Sequence, residues 1–301
     1  MLIQLVSRDN GAGLSTDLQL LGDLLTEQGH EVGHTPWRSP SMRPCDVVIF
    51  LELFNPLFLR WATASVGVFN LEWFPNRWRH HLPGFTQLWA KSVEAYDIYR
   101  ALNLPQATYT GFLTRDLYDP AVSREPRVLH LQGHSKLKNT DAVLDAWRRY
   151  PDLPPLTIIT MQTMRHPPPG GVTVLNRVDH DQLVYELNRH EIHLCPSRAE
   201  GWGHYIVEGM ACGATVVTTD ASPMSEHVQP GRGFLIPSTL MESGYLAPFH
   251  TVDPGDVEDG VWRAAHLTAQ ERAEVGKLAR EHTLTRNEQF AAIVRANLGS
   301  L

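Results

Sequence analysis

The sequence predicts an α/β protein made of two Rossmann-like, doubly wound domains and a helical C-terminal tail. Three observations lead there. Apolar strand-like runs alternate with amphipathic helical patterns along the chain, the arrangement of mainly parallel sheets. The alternation stops over residues 119–126, where prolines and charges carry no periodicity, and then restarts. The length, 301 residues, exceeds the commonest single-domain size and suits two halves of roughly 120 to 170 residues. The expected division is residues 1–120, residues 121–285 and a tail over residues 286–301.

Residues 2–6 form an apolar strand run, residues 10–13 a tight turn, and residues 15–28 an amphipathic helix closed by Gly29. Strand-like runs recur at 47–51, 66–69 and near 107–110, with helical patterns at 58–64 and 93–102. Beyond the break, residues 128–132 read as strand and 140–149 as helix. Strands at 156–160 and 172–175 flank the Pro-Gly turn at 166–171. Helix 182–189, strand 192–196, helix 205–212 and strand 214–219 complete a second doubly wound domain. Residues 254–301 read as helical, with a break expected at 283–285.

Hydrophobic residues make up 43% and charged residues 20%, which fits a globular core and excludes disordered, collagen-like and coiled-coil chains. A formal net charge of −7 argues against a surface devoted to neutralising phosphate, although a local basic patch stays open. Cys45, Cys195 and Cys212 lie far apart in apolar runs without C-x-x-C spacing and are expected as reduced, buried thiols. No basic leader and no membrane-length apolar run is present, so a cytoplasmic protein is expected.

The chemistry concentrates in residues 196–213, PSRAEGWGHYIVEGMACG, where a strand end is followed by Glu200, two glycines, a helix start and Glu208. Such a turn brings backbone N–H groups to a point that an anion can approach closely, as a diphosphate would. Glu200, at the strand's carboxyl end, is placed to accept hydrogen bonds from sugar hydroxyls, and Glu208, in the second helical turn, to clamp a ribose diol. Taken alone, the pair also reads as an acid favoured by the helix dipole and a solvated helix residue.

The whole string resembles the donor-binding segment of retaining glycosyltransferases of family 4. Glu200 and Glu208 match that family's E-x7-E pattern, with Gly201, Gly203, Ala211, Gly213 and Glu226 also in place and Trp202 and His204 beside the glycines. Residues 128–147 look like its strand, Gly-x-x-x-x-Lys loop and helix, with Gly133 and Lys138 at the matching positions. The resemblance implies the GT-B fold, two domains facing across a cleft, with the tail crossing back to the first. It implies a hexosyltransferase-type transfer from a UDP- or GDP-sugar to a hydroxyl with retention. No cofactor and no metal is then required, because Lys138 meets the charge of the departing diphosphate. Two positions depart from the pattern. His134 stands where the family has arginine and Asn139 where it has glycine. Glu200, Lys138 and His134 are the expected catalytic set, and with His134 a fixed charge becomes titratable, so donor affinity should fall as pH rises. Lys138 also reads as a solvated lysine beside Lys136, and His134 as a cap or packing residue.

In the first half, Asn10-Gly11-Ala12-Gly13 resembles the family's glycine loop facing the donor phosphates. As a dinucleotide fingerprint it fails, because Thr16 replaces the third glycine and no acid ends the second strand, so an NAD enzyme is not expected. Asn70, Glu72 and Trp73 are candidate acceptor contacts, with a surface-loop acid as the alternative for Glu72. Residues 73–89 interleave Arg77, Trp78, Arg79, His80, His81, Phe85 and Trp89, which suits sugar faces or a DNA-borne acceptor, or a loop packed by its tryptophans. Lys91 and Gly111 are expected near the interdomain crevice by the resemblance.

Asp179-His180-Asp181 is read as helix capping rather than a metal motif, and His190 and His193 lack a third ligand in reach. The acceptor class, a small molecule or glycan with lipid and modified DNA base as alternatives, is left open. A binding module that holds a nucleotide-sugar without transfer, and a GT-B epimerase, are the competing functions.

Overall fold

The computed structural model describes residues 1–8, 11, 13–164 and 166–301. The chain divides into two compact units. The first comprises residues 1–113, 243–248 and 286–301, and the second residues 114–242 and 249–285.

The first unit carries β1 (Leu2–Ser7), α1 (Gly13–Glu27), β2 (Glu31–Pro36), β3 (Cys45–Leu51), β4 (Ala62–Val68), β5 (Gln87–Ala90), α2 (Val93–Ala101) and β6 (Ala107–Tyr109). Its six strands are all parallel in the order β2-β1-β3-β4-β5-β6. β3 is buried from Val47 through Leu51, the near-continuous apolar run of a parallel strand covered on both faces. The helix expected at 58–64 is instead a 3-10 turn over Pro56–Trp61 followed directly by β4. Asn55 caps that turn by accepting from the Leu57 amide, and β-branched Thr63, Val66 and Val68 favour the strand that follows. The core is aromatic: Phe54 meets Phe69, Phe74, Phe85 and Trp78 with ring centroids 5.6 to 6.2 Å apart. Residues 286–301 belong to it, with Phe290 against Phe112 at 5.2 Å and Gln28 donating to the Ala291 carbonyl.

The second unit carries β7 (Glu125–Gly133), α3 (Thr140–Arg149), β8 (Leu156–Thr160), β9 (Val172–Asn176), α4 (His180–Arg189), β10 (His190–Cys195), α5 (His204–Ala211), β11 (Thr215–Thr219), α6 (Met224–His227) and β12 (Gly233–Ile236). A short hairpin, β13 (Thr239–Met241) with β14 (Phe249–Thr251), and helices α7 (Pro254–Ala265) and α8 (Ala269–Gly299) follow, α8 belonging to this unit as far as residue 285. The strand order β12-β11-β10-β7-β8-β9 is parallel throughout, so the winding reverses between β7 and β10. In doubly wound sheets, ligands bind outside the carboxyl ends of the strands at this reversal.

The break expected at 283–285 is absent, and α8 runs unbroken. Thr283 is accommodated because its hydroxyl donates to the Ala279 carbonyl one turn back. A methyl group on Gly276 of α8 would stand 2.0 Å from the Gly213 carbonyl oxygen, so the approach of helix to turn requires glycine. Asp179 caps α4 by accepting from the Gln182 amide. The three cysteines are unpaired. Burial raises the Cys195 and Cys212 thiol pKa values, whereas Cys45 is only half-buried rather than buried as expected.

Candidate functional site

Two loops meet at the reversal of the second unit. One leaves β7 through Gly133, whose φ of 53° is easiest for a residue without a side chain. The other leaves β10 toward α5. The Arg198 amide donates to the Leu137 carbonyl at 2.7 Å, tying one loop to the other. From β11, the Thr218 hydroxyl donates to the Cys195 carbonyl and the Thr219 hydroxyl to the Ser197 carbonyl, both at 2.7 Å. Beneath them, His130 of β7 bonds the Leu194 carbonyl of β10 through Nδ1 and the Thr140 hydroxyl of α3 through Nε2. Burial depresses its pKa to about 4, so at neutral pH the ring is uncharged, Nδ1 donating and Nε2 accepting.

This scaffold brings Lys138 onto Glu200. The ammonium Nζ lies 2.5 Å from Glu200 Oε1 and 3.6 Å from the centre of the Tyr205 ring. Ser197 Oγ donates to the same carboxylate oxygen at 2.5 Å and shares a 2.5 Å hydrogen bond with the Tyr205 hydroxyl. Burial raises the pKa of the Tyr205 phenol well above its usual value, so the phenol stays neutral. Asn139, where the family has glycine, takes the left-handed conformation with φ 59° and ψ 35°. Asparagine is among the few other residues that tolerate it, so the departure preserves the turn. His134 is exposed, and its carbonyl accepts from Gln162 Nε2.

Gly203, at φ 86°, is the N-cap of α5 and adds no side-chain cap to its first turn. Gly201 is half-buried between Glu200 and Trp202. Trp202 is buried, its carbonyl accepting from His227 Nε2 at 2.7 Å, and His204 begins the helix. Glu208 is buried in the second turn. Arg115 donates to its Oε1 from Nε at 2.7 Å and lies 2.6 Å away through Nη2. At the ends of β8 and β9, a cavity of about 570 Å³ is lined by Met161, Gln162, Met164, Val174, Asn176 and Arg177 among others. Its wall is bonded to the lysine loop by the Met161 amide to the Gly133 carbonyl and by Gln162 to His134.

Gly11, Gly13, Asn70, Glu72 and Trp73 belong to the first unit. Gly11 has φ 62° and Gly13 starts α1, while Asn10 and Ala12 of that turn lie outside the described residues. Asn70 is committed to a polar chain, donating to Glu52 and accepting from Lys91. Lys91 and Asp17 are paired at 2.5 Å with both side chains 2% exposed. Glu72 is buried rather than a surface-loop acid, and Trp73 is exposed against Tyr245. Trp78, Phe85 and Trp89 serve the core, whereas Arg77, Arg79 and His80 are exposed. His190 and His193 spend ring nitrogens on Glu186, Thr157 and Leu187. Among the described residues no three His, Cys, Asp or Glu side chains gather as a metal site.

Sequence reasoning missed Arg115, Tyr205 and Glu52. Arg115 lies in an aperiodic run and Tyr205 reads as a core residue. The one local signal for Glu52 was its place just after an apolar strand.

Residues 165–244 match the family model of glycosyl transferases group 1. No curated protein matches the chain significantly. Among solved structures, sucrose-phosphate synthase from Thermosynechococcus elongatus is similar at a TM-score of 0.76 and 13% identity, over 100% of both chains. Anabaena Alr3699/HepE in complex with UDP and glucose gives 0.72 and 16%, again over 100% of both. The pneumococcal O-GlcNAc transferase GtfA in complex with UDP and GlcNAc gives 0.63 and 12%, over 86% of this chain and 57% of that one. The two parallel-sheet Rossmann-like units and the C-terminal helix thus have the GT-B glycosyltransferase fold, and the Glu200-to-Glu208 segment lies within the matched residues.

Proposed function

We propose that the chain is a retaining, metal-independent glycosyltransferase that moves a sugar from a UDP- or GDP-sugar to an acceptor hydroxyl. The observation that carries this reading is the 2.5 Å contact of Lys138 with Glu200 at the reversal of the second sheet. A diphosphate seated at the start of α5 faces backbone amides and the Lys138 ammonium. As the bond to the sugar breaks, negative charge grows on the leaving oxygen, and a fixed ammonium there lowers the barrier. Glu200, released from Lys138 by the phosphate, accepts from sugar hydroxyls, and Glu208 accepts from the ribose. The cavity beside the lysine loop has the size and mixed lining to take the nucleobase. HepE and GtfA carry UDP in their complexes, which favours UDP among the donors. A small molecule or glycan is the expected acceptor.

A thermal-shift screen across UDP-, GDP-, ADP- and TDP-sugars tests the donor, since a ligand that binds only the native state raises the melting point by mass action. Turnover of the selected donor should survive EDTA, and NMR of the product should show the donor's anomeric configuration. Activity abolished by EDTA and restored by manganese sinks the metal-free reading. Donor binding with neither transfer nor slow hydrolysis over hours makes the chain a binding module instead.

A further inference from the structure

Glu208 presents an unusual half-occupied carboxylate. Its side chain is only 6% exposed, a position in which an ionised carboxylate needs a compensating partner. Arg115 supplies it, and both close approaches, from Nε and from Nη2, converge on Oε1. Oε2 accepts no hydrogen bond among the described residues, yet it is not sealed from solvent. Arg115 itself is half-buried and, like Glu208, belongs to the second unit, so the pair is local to that unit.

We propose that Arg115 is a positioning residue that fixes Glu208 through Oε1 and leaves Oε2 as a one-oxygen acceptor for a single ribose hydroxyl of the donor nucleotide. This rests on the reading of Glu208 as the ribose contact. A carboxylate with both oxygens open can chelate a cis-diol, whereas one oxygen already held by a guanidinium offers a single strong charge-assisted bond. Arg115 therefore sets which hydroxyl is read. It acts through Glu208 and makes no contact with the phosphates.

The test measures the dissociation constants of UDP, uridine, 2′-deoxy-UDP and 3′-deoxy-UDP by calorimetry. The guanine series replaces them if the donor screen selects GDP. Wild type, Arg115→Ala, Arg115→Lys and Glu208→Ala are compared, with circular dichroism melts as the folding control. Arg115→Ala should weaken UDP and uridine by the same factor, about tenfold, as expected for losing control of a charge-assisted hydrogen bond. Arg115→Lys should recover part of the loss, which separates positioning from a fold defect. In the wild type only one of the two deoxy analogues should bind more weakly than UDP. Arg115→Ala weakening UDP but not uridine makes Arg115 a phosphate contact and overturns the proposal. Equal losses for both deoxy analogues also overturn it. Unchanged affinities in Arg115→Ala, with Glu208→Ala weakened, remove Arg115 alone. Unchanged affinities in Glu208→Ala instead remove the ribose reading beneath it.

Discussion

Lowering the pH from 7.5 to 5 places two buried histidines of the second unit under load. His130 and His193 are 0 and 2% exposed, and burial depresses their pKa values from 6.5 to about 4 and about 3. Both are uncharged when folded at pH 5, while the unfolded chain has taken up a proton on each. Stability is therefore fully present above the unfolded value of 6.5 and is lost as pH falls toward the folded values. With about 1.36 kcal/mol per pKa unit, each histidine removes about 2 kcal/mol by pH 5, together about 4 kcal/mol. Burial also lowers the pKa of His30, His81, His190 and His250, which adds loss of the same sign. The carboxylates Asp116, Glu125 and Glu271 have depressed pKa values, so the stability they contribute is lost as pH falls from the ordinary carboxylate values, at roughly pH 4, toward the folded ones, mostly below this window, while Glu52, whose pKa burial raises, works in the opposite sense. Urea unfolding at pH 7.5, 6 and 5, followed by tryptophan fluorescence, measures the slope. His130→Gln keeps hydrogen-bonding groups without the titration, so it should start less stable at pH 7.5 and decline by about 2 kcal/mol less by pH 5. An unchanged slope in that variant would falsify the linkage.

Lys138→Ala should lower donor turnover by roughly a hundred- to a thousandfold, the effect of losing one preorganised charge at a leaving group, checked by steady-state kinetics. Glu200→Gln removes the carboxylate that holds Lys138 at 2.5 Å, so UDP alone should bind more tightly while the intact UDP-sugar loses that advantage, read by calorimetry. Asn139→Gly should leave stability within a few tenths of a kcal/mol, whereas Asn139→Ala, forced to φ 59°, should cost about 1 kcal/mol in urea unfolding. Gly276→Ala drives a methyl group against the Gly213 carbonyl and should cost about 1 to 3 kcal/mol, read as a lower melting temperature.

Strands such as β8 and helices such as α3 were legible to the residue because their apolar runs are long and their ends are marked. The failures have local causes. Residues 58–64 carry helical spacing, but Pro56 opens a 3-10 turn just ahead of them, and the sheet claims Ala62 onward through pairing with β3. Thr283 looked like a helix breaker because sequence does not display the back-bond to Ala279. β12 and the β13–β14 hairpin are too short to announce themselves. Lys138 and Glu200 were legible as candidates because each sits on a patterned strand-loop-helix unit. Arg115 was not, because its meaning is conferred by Glu208, 93 residues away. Asn139 looked like a loss until its positive φ showed that the turn, rather than the glycine, is what the loop needs.

On the proposed reading, Lys138 must serve without the arginine that the resemblance places at His134. The Lys138 ammonium is balanced by Glu200 and by the face of Tyr205, so it is neither wasted on solvent nor free to wander. On the proposed reading, donor binding is then an exchange. The phosphate takes the ammonium, the sugar hydroxyls take the carboxylate, and Ser197 stays bonded on the Tyr205 side through the 2.5 Å contact between their hydroxyls. Little charge is uncovered at any stage, because each ion leaves one partner for another. Such an exchange favours the whole nucleotide-sugar over the bare nucleotide, since a donor without its sugar would strand Glu200 in a partly dry site beside an added diphosphate. On that proposed reading Lys138 and Glu200 balance each other without help from the exposed His134, and Glu200 would set the selectivity of the site as Lys138 would set its catalysis.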